Sequence, residues 1–139
     1  MDRFKFKVWD KDEMCFSKDW LLIQSNGLLE LVYEGCDEED GIGYVKINQN
    51  QYIICQCTGL KDKNGKLIYE NDIMGGGVHG TVIVGWNKEF MCFESQNIDK
   101  EEFDENGFSN RCLFANDLED CFNEWEIIGN IYENPELIK

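Results

Sequence analysis

Thr58-Gly59-Leu60-Lys61-Asp62-Lys63-Asn64-Gly65-Lys66-Leu67-Ile68-Tyr69-Glu70-Asn71-Asp72-Ile73 sets two turns between short apolar runs. Asn64-Gly65 separates two of those runs. Both residues tolerate positive φ, which predicts a tight turn. Glu70-Asn71-Asp72 is a second turn, leading into Ile73 and Met74. Turns this close together suit strands of a few residues better than long helices.

Working outward, Gly75-Gly76-Gly77 predicts a flexible hairpin tip. Residues 78–86 then form a strand with Val82, Val84 and Trp86 on one face, and 90–93 pairs back against it. Upstream, residues 44–47 and 52–57 are β-rich runs around Asn48-Gln49-Asn50-Gln51, which predicts a hairpin. Residues 20–23 are apolar, Ser25-Asn26-Gly27 reads as a turn and 28–33 as a strand. The acidic run at 37–41 reads as a solvated loop. Near the start, Phe4, Phe6 and Val8 alternate with Lys5 and Lys7, the period of a strand with one buried face, and Trp9 and Asp10 close it. Residues 98–107 read as a helical turn or an ordered loop. Leu118, Cys121, Phe122 and Trp125 fall at helical spacing and predict one short helix near 117–123. Residues 125–128 return to β, and 129–138 form a terminal strand and turn around Asn134-Pro135.

The expected fold is therefore mainly β: a compact barrel-like domain, SH3-like or two small sub-barrels, with one or two short helices. One domain over 1–139 is expected, with an N-terminal β part at 1–57 and a C-terminal barrel-like part at 58–139. Thirteen glycines and one proline in 139 residues agree with that reading. A chain of this length buries enough surface to fold without a metal or disulfide.

Net charge is −15 and uneven. Residues 1–57 carry six basic and eleven acidic side chains, 58–87 three of each, and 88–139 four basic and fourteen acidic. Such a chain is repelled by phosphate backbones and anionic membranes, which weighs against nucleic acid and membrane as partners. The charge reads first as a solubility device, and in the sharper alternative as a face that meets a basic host or phage protein. Self-association is left open. The first residues hold no apolar signal region, and no stretch approaches the length of a membrane span, so a reducing cytoplasm is expected. Seven scattered cysteines, Cys15, Cys36, Cys55, Cys57, Cys92, Cys112 and Cys121, then read as free thiols.

The search for chemistry yields no catalytic residue, cofactor or metal site. His79 is the single histidine, which removes every two-histidine metal motif. Cys55 and Cys57 share one face of a strand but lack a second close pair, so they read as small core residues. Gly75-Gly76-Gly77-Val78-His79-Gly80 lacks the Lys-Ser/Thr that a phosphate loop needs and precedes a strand. Asp62-Lys63-Asn64-Gly65 opens like a calcium loop but reaches neither the Gly spacing nor the bidentate Glu.

Three blocks carry a family resemblance. Phe4-Lys5-Phe6-Lys7-Val8-Trp9-Asp10 resembles the opening strand of the YopX family, Thr58 to Ile73 its central signature, and 128–137 its terminal block. This chain departs from the family pattern with Cys57 where an aromatic is common and Asn71 where Gly is common. Asn71 thus falls in a turn where positive φ is expected. The resemblance implies a phage or prophage origin, a host cytoplasmic location and a barrel-like β fold, and no activity. The motif residues Trp9, Asp10, Thr58, Gly59, Leu60, Asn64, Gly65, Ile68, Tyr69, Asp72, Ile73, Gly129, Asn130, Tyr132, Asn134 and Pro135 read as scaffold: they bend and pack strands. Gly80 to Val84 followed by Trp86 also resembles small SH3-like barrels.

Three functions are expected in order. First is a non-catalytic protein-interaction module, an accessory protein whose acidic surface meets a basic host or phage protein. Second is a small-barrel nucleic-acid accessory protein using Lys61, Lys63, Lys66 and Trp86, or an acidic mimic of nucleic acid. An enzyme of unknown class is third.

Overall fold

Strand formation follows the spacing of turns. A computed structural model describes residues 5–18, 21–23, 28–34, 42–75, 80–98, 111–113 and 124–138. The expected hairpin tip at 76–77, His79, the turn at 25–27, the loop at 37–41, residues 99–107 and the helix near 117–123 lie outside them. The strands are β1 (Phe6–Asp10), β2 (Cys15–Phe16), β3 (Leu21–Ile23), β4 (Leu29–Glu34), β5 (Ile42–Lys46) and β6 (Tyr52–Lys61). They continue with β7 (Leu67–Tyr69), β8 (Asp72–Gly75), β9 (Thr81–Asn87), β10 (Cys92–Asn97), β11 (Arg111–Leu113) and β12 (Glu126–Asn130). The described helical segments are two 3-10 turns, Gln49–Gln51 and Pro135–Ile138. The chain is mainly β, as its sequence implies.

The strands assemble in the orders β2-β1-β6-β7, β11-β10-β9-β8-β12 and β3-β4-β5. Two units result, Val8–Ile54 on one hand and Met1–Lys7 with Cys55–Lys139 on the other, and β1 and β6 each run from one into the other.

In the unit Val8–Ile54, Trp9 is buried and meets Phe16 edge-on, ring centroids 5.2 Å apart. That contact holds β2, which is too short to show a sequence period, against β1. Asp10 accepts the N–H groups of Asp12 and Glu13 and the Gln51 carboxamide. Burial opposes its charge, but these donors outweigh burial and hold the carboxyl below its ordinary value. β1 ends at Asp10 as expected, with a turn over 11–14. Phe6 is exposed, however, Lys7 half-buried and Val8, Trp9 and Asp10 all buried, so the expected alternation with Phe6 on the buried face is absent.

The expected hairpin of 44–47 with 52–57 does not form. β5 pairs with β4, and β6 belongs to another sheet. The amide-rich link is instead a capped 3-10 turn: the Asn48 side chain accepts Asn50 N–H. The Gln49 carboxamide accepts Leu29 N–H and donates to Leu29 and Ile47 carbonyls. Side chains that satisfy backbone groups this well compete with a two-residue hairpin.

In the other unit the core is Ile68, Met74, Val82 and Val84, with Leu60, Phe93, Trp125 and Ile127 packed against it. Each fully buried aliphatic side chain contributes about 1.5–3 kcal/mol. Asn64-Gly65 does turn the chain, as a three-residue turn with a bulge. Gly65 N–H donates to Asp62 O, Asp62 N–H to Lys66 O, and of the pair only Gly65 takes positive φ, 79°. The last strand stops at Asn130. Its carboxamide accepts Tyr132 and Glu133 N–H, and Asn134 N–H donates to Asn130 O. At Gly129 a Cβ would crowd the Asn134 side chain and displace the oxygen that accepts Asn130 N–H.

Candidate functional site

An open depression of about 320 Å³ is lined by Gln56, Thr58, Leu60, Trp86, Met91, Cys92 and Phe93. Two local devices build it, one in β6 and one between β9 and β10.

The β6 device is the Thr58-Gly59-Leu60 motif. Cys57 pairs with Tyr69 and Lys61 with Leu67, so β6 spends two more residues than β7 over the same span. Gly59 takes φ 86°. Thr58 Oγ1 donates to Ile68 O at 3.0 Å and accepts Leu60 N–H at 3.1 Å. Gly59 N–H reaches Cys57 Sγ at 3.4 Å. A bulge of this kind re-aims side chains and bends the strand. Thr58 is held buried, while Leu60 packs on the core and also lines the depression.

The second device is the tip between β9 and β10. Asn87 Oδ1 accepts Glu89 and Phe90 N–H, and Asn87 Nδ2 donates to Glu94 Oε2 at 2.7 Å. Met91 takes φ 53°. The tip presents Phe90 and Met91 at 59% and 70% exposure, beside Trp86 at 39%. Trp86 stands edge-on to Phe93, centroids 5.0 Å apart. Val82, Val84 and Trp86 share a face as the alternation implied, but the core ends at Val84 and leaves the indole at the rim.

The other motif residues form a polar lock in the same unit. Asn71 takes φ 70°, the left-handed conformation expected from its place in the turn. Its Nδ2 donates to Tyr132 Oη at 2.9 Å and lies 3.7 Å from Cys55 Sγ, and its backbone O accepts Ile131 N–H. Burial pushes the Cys55 thiol up despite these contacts, and burial with the neighbouring Cys55 and Glu70 pushes the Tyr132 phenol up strongly. Asp72 is buried, accepts Tyr69 N–H and lies 3.7 Å from Lys7 Nζ, which also sits over the Tyr69 ring. Burial still pushes its carboxyl up. Asp62 binds the two hairpin N–H groups of Asn64 and Lys66 with Oδ1 and Ile127 N–H with Oδ2.

The sequence-expected set therefore divides. Trp9 and Asp10 belong to the unit Val8–Ile54. Asn64 and Gly65 make a turn, Ile68, Tyr69, Asp72 and Ile73 are buried, and Gly129, Asn130, Tyr132, Asn134 and Pro135 form the terminal turn and its tie to Asn71. Thr58 and Leu60 line the depression as well as packing. Gln56 and the consecutive Met91, Cys92 and Phe93 join the lining; the sequence placed both stretches in strands, but nothing in it marked two segments so far apart as neighbours. Cys55 and Cys57 are buried, Cys15 is exposed and Cys92 half-buried, and none of these four is in a disulfide. Among the described residues no group of three or more His, Cys, Asp or Glu side chains could hold a metal ion. No helix among them is long and apolar enough to cross a membrane.

Chemically, the lining offers apolar and aromatic contact with two neutral polar groups, Gln56 and Thr58. Among the seven described lining residues, Cys92 contributes the one thiol and none is a carboxylate, histidine or lysine.

A family model described as YopX protein matches residues 5–139. Among solved structures, the chain is similar to protein yopX from Bacillus subtilis, with 19% identity over 99% of this chain and 99% of that one and a TM-score of 0.57. It is similar also to protein EF1440 from Enterococcus faecalis, with 24% identity over 97% of each chain and a TM-score of 0.54. At these identities the likeness shows the fold alone. No curated protein matches the sequence.

Proposed function

The chain belongs to the YopX family, and from that premise we propose that it is a non-catalytic interaction module, a phage or prophage accessory protein of the host cytoplasm, which docks a partner protein on the depression beside Trp86. The observation that carries this reading is the exposure of Trp86 and Met91 around an open, mostly apolar hollow. Aromatic and methionine side chains held at a rim by rigid strands are the usual anchors of protein interfaces. Their exposure has an energetic cost that a partner relieves.

The nucleic-acid reading finds less support. Lys63, one of its expected cations, is ion-paired with Glu126 at 2.5 Å. The net charge of −15 opposes a phosphate backbone. An enzyme would need a proton donor or acceptor beside the hollow, and among the described lining residues Cys92 is the one candidate.

The test uses the immobilised chain and its Trp86→Ser/Met91→Gln variant in lysates of Bacillus subtilis and Enterococcus faecalis, the sources of the two similar structures. A protein retained by the parent and lost by a folded variant is expected. Identical retention by both contradicts the assignment of the site.

A further inference from the structure

We infer that the occupant of the depression is an extended, cationic segment of the partner, added as a short strand along the open edge of β9 at Trp86, with one bulky apolar side chain lodged against Trp86, Phe93 and Leu60. This rests on the docking reading above and names what docks.

The open edge follows from hydrogen-bond direction. Successive residues of a paired strand turn their N–H and C=O groups to opposite neighbours. Thr81 O accepts Ile98 N–H at 3.0 Å, which points Thr81 toward β10. Val84 O accepts Asn71 N–H at 2.8 Å, which points Val84 to the β8 side. Two residues on, Trp86 offers its N–H and C=O to the β8 side as well. The rungs of β8 with β9 end at Ile73 opposite Ile83. Before that point the chain turns at Asn71 and runs toward β6, where Glu70 N–H donates to Gln56 O. Among the described residues β8 supplies no rung opposite Trp86. Gln56 and Trp86 are both lining residues, so the gap beyond the end of β8 opens on the depression.

An extended segment placed there continues the sheet, takes its main-chain bonds from Trp86 and delivers alternate side chains into the hollow, the mode of strand addition. A volume of about 320 Å³ is at the small end of ligand cavities, and it is open rather than enclosing. It suits one large side chain with its backbone better than a free metabolite.

Charge selects the partner. At −15, a second copy of this chain and a nucleic acid are both repelled, whereas a cationic segment is drawn in. The lining itself is uncharged, so cations act from around the hollow, on encounter rate and salt dependence, while the apolar side chain sets residence time.

The test is a titration of the full ¹⁵N-labelled chain, with labelled methionine methyls, by blocked heptapeptides at low salt. The first carries four lysines around a central valine-tryptophan-valine. The second replaces the lysines by glutamates, and the third replaces the tryptophan by alanine. The first should move the Trp86 backbone amide and the Met91 methyl together, and each of the others should bind at least about tenfold more weakly, a difference of about 1.4 kcal/mol. Equal binding by the glutamate peptide overturns the cationic assignment and leaves the docking reading standing. A moving Met91 methyl with a still Trp86 amide overturns strand addition. Silence from every peptide, while the Trp86→Ser/Met91→Gln variant still loses its lysate partner, overturns the occupant alone; silence with no such loss removes the docking reading too.

Discussion

Replacing Asp62 by alanine should destabilise the fold by about 3 kcal/mol, and the size follows from what each bond can recover. Asp62 Oδ1 holds Asn64 N–H at 2.9 Å and Lys66 N–H at 2.8 Å, and Oδ2 holds Ile127 N–H at 3.2 Å. Bonds to a charged acceptor are worth about 1.5–3 kcal/mol each when nothing replaces them. Asn64 and Lys66 are exposed, so water takes over their N–H groups and those two losses shrink to about 1 kcal/mol each. Ile127 is half-buried and recovers less. Asp62→Asn keeps one acceptor for the hairpin but turns an amide toward Ile127 N–H, so about 1–2 kcal/mol is expected. Urea titration followed by tryptophan fluorescence reads both. With a slope near 1.5–2 kcal/mol per molar, alanine lowers the midpoint by about 1.5–2 M at unchanged slope.

The pH dependence gives Asp62 an independent sign. Burial opposes its charge, but the N–H groups of Lys66, Ile127 and Asn64 outweigh burial and hold the carboxyl below its ordinary value. Its contribution is then present above the ordinary carboxylate range and is lost as pH falls through the lowered value. The gap between parent and Asp62→Asn should narrow as the solution is acidified from neutrality. An alanine variant within about 0.5 kcal/mol of the parent, the size of an ordinary surface change, would refute the reasoning.

Three further outcomes follow from the same geometry. Asn71→Ala forces an unfavourable left-handed conformation and removes the bond to Tyr132, so it should cost about 2–3 kcal/mol, and Asn71→Gly, free of the strain, less than half of that; thermal melts compare them. Asp72 has its carboxyl pushed up by burial, so its contribution is fully present below the ordinary carboxylate range and is lost as pH rises through the raised value. Asp72→Asn should therefore compare better with the parent at pH 7 than at pH 4.5, by urea midpoints. Met91→Gln should leave stability within about 0.5 kcal/mol because the side chain is mostly exposed, whereas Trp86→Ser should cost about 1–2 kcal/mol through its half-covered ring and its contact with Phe93.

Much of the fold was legible because turns leave chemical marks. Asn64-Gly65 and the Asn71 position follow from residues whose backbone preferences are strong, and the pairing of β9 with β10 from apolar runs, although β10 covers Cys92–Asn97 rather than 90–93. Strand partnership was harder. The Asn48 and Gln49 carboxamides satisfy backbone groups around a 3-10 turn, and that local solution displaced the expected hairpin. β2 went unseen because two residues have no period, and what secures it is the distant Trp9–Phe16 contact. The depression was hidden for a related reason. Thr58-Gly59-Leu60 stood out as a motif, but that its bulge would set Leu60 beside Trp86 and Phe93 depends on register between β6 and β7, which no single segment encodes.

Site-specific photo-crosslinking tests the docking account most directly. A photoreactive side chain is placed at position 91, at the rim of the hollow, or at position 14, where Met14 is equally exposed in the unit Val8–Ile54. Irradiation in lysate should yield one discrete adduct from position 91, absent from position 14 and suppressed by Trp86→Ser in the same chain. Adducts of equal intensity from both positions, or an adduct at 91 untouched by Trp86→Ser, would contradict it.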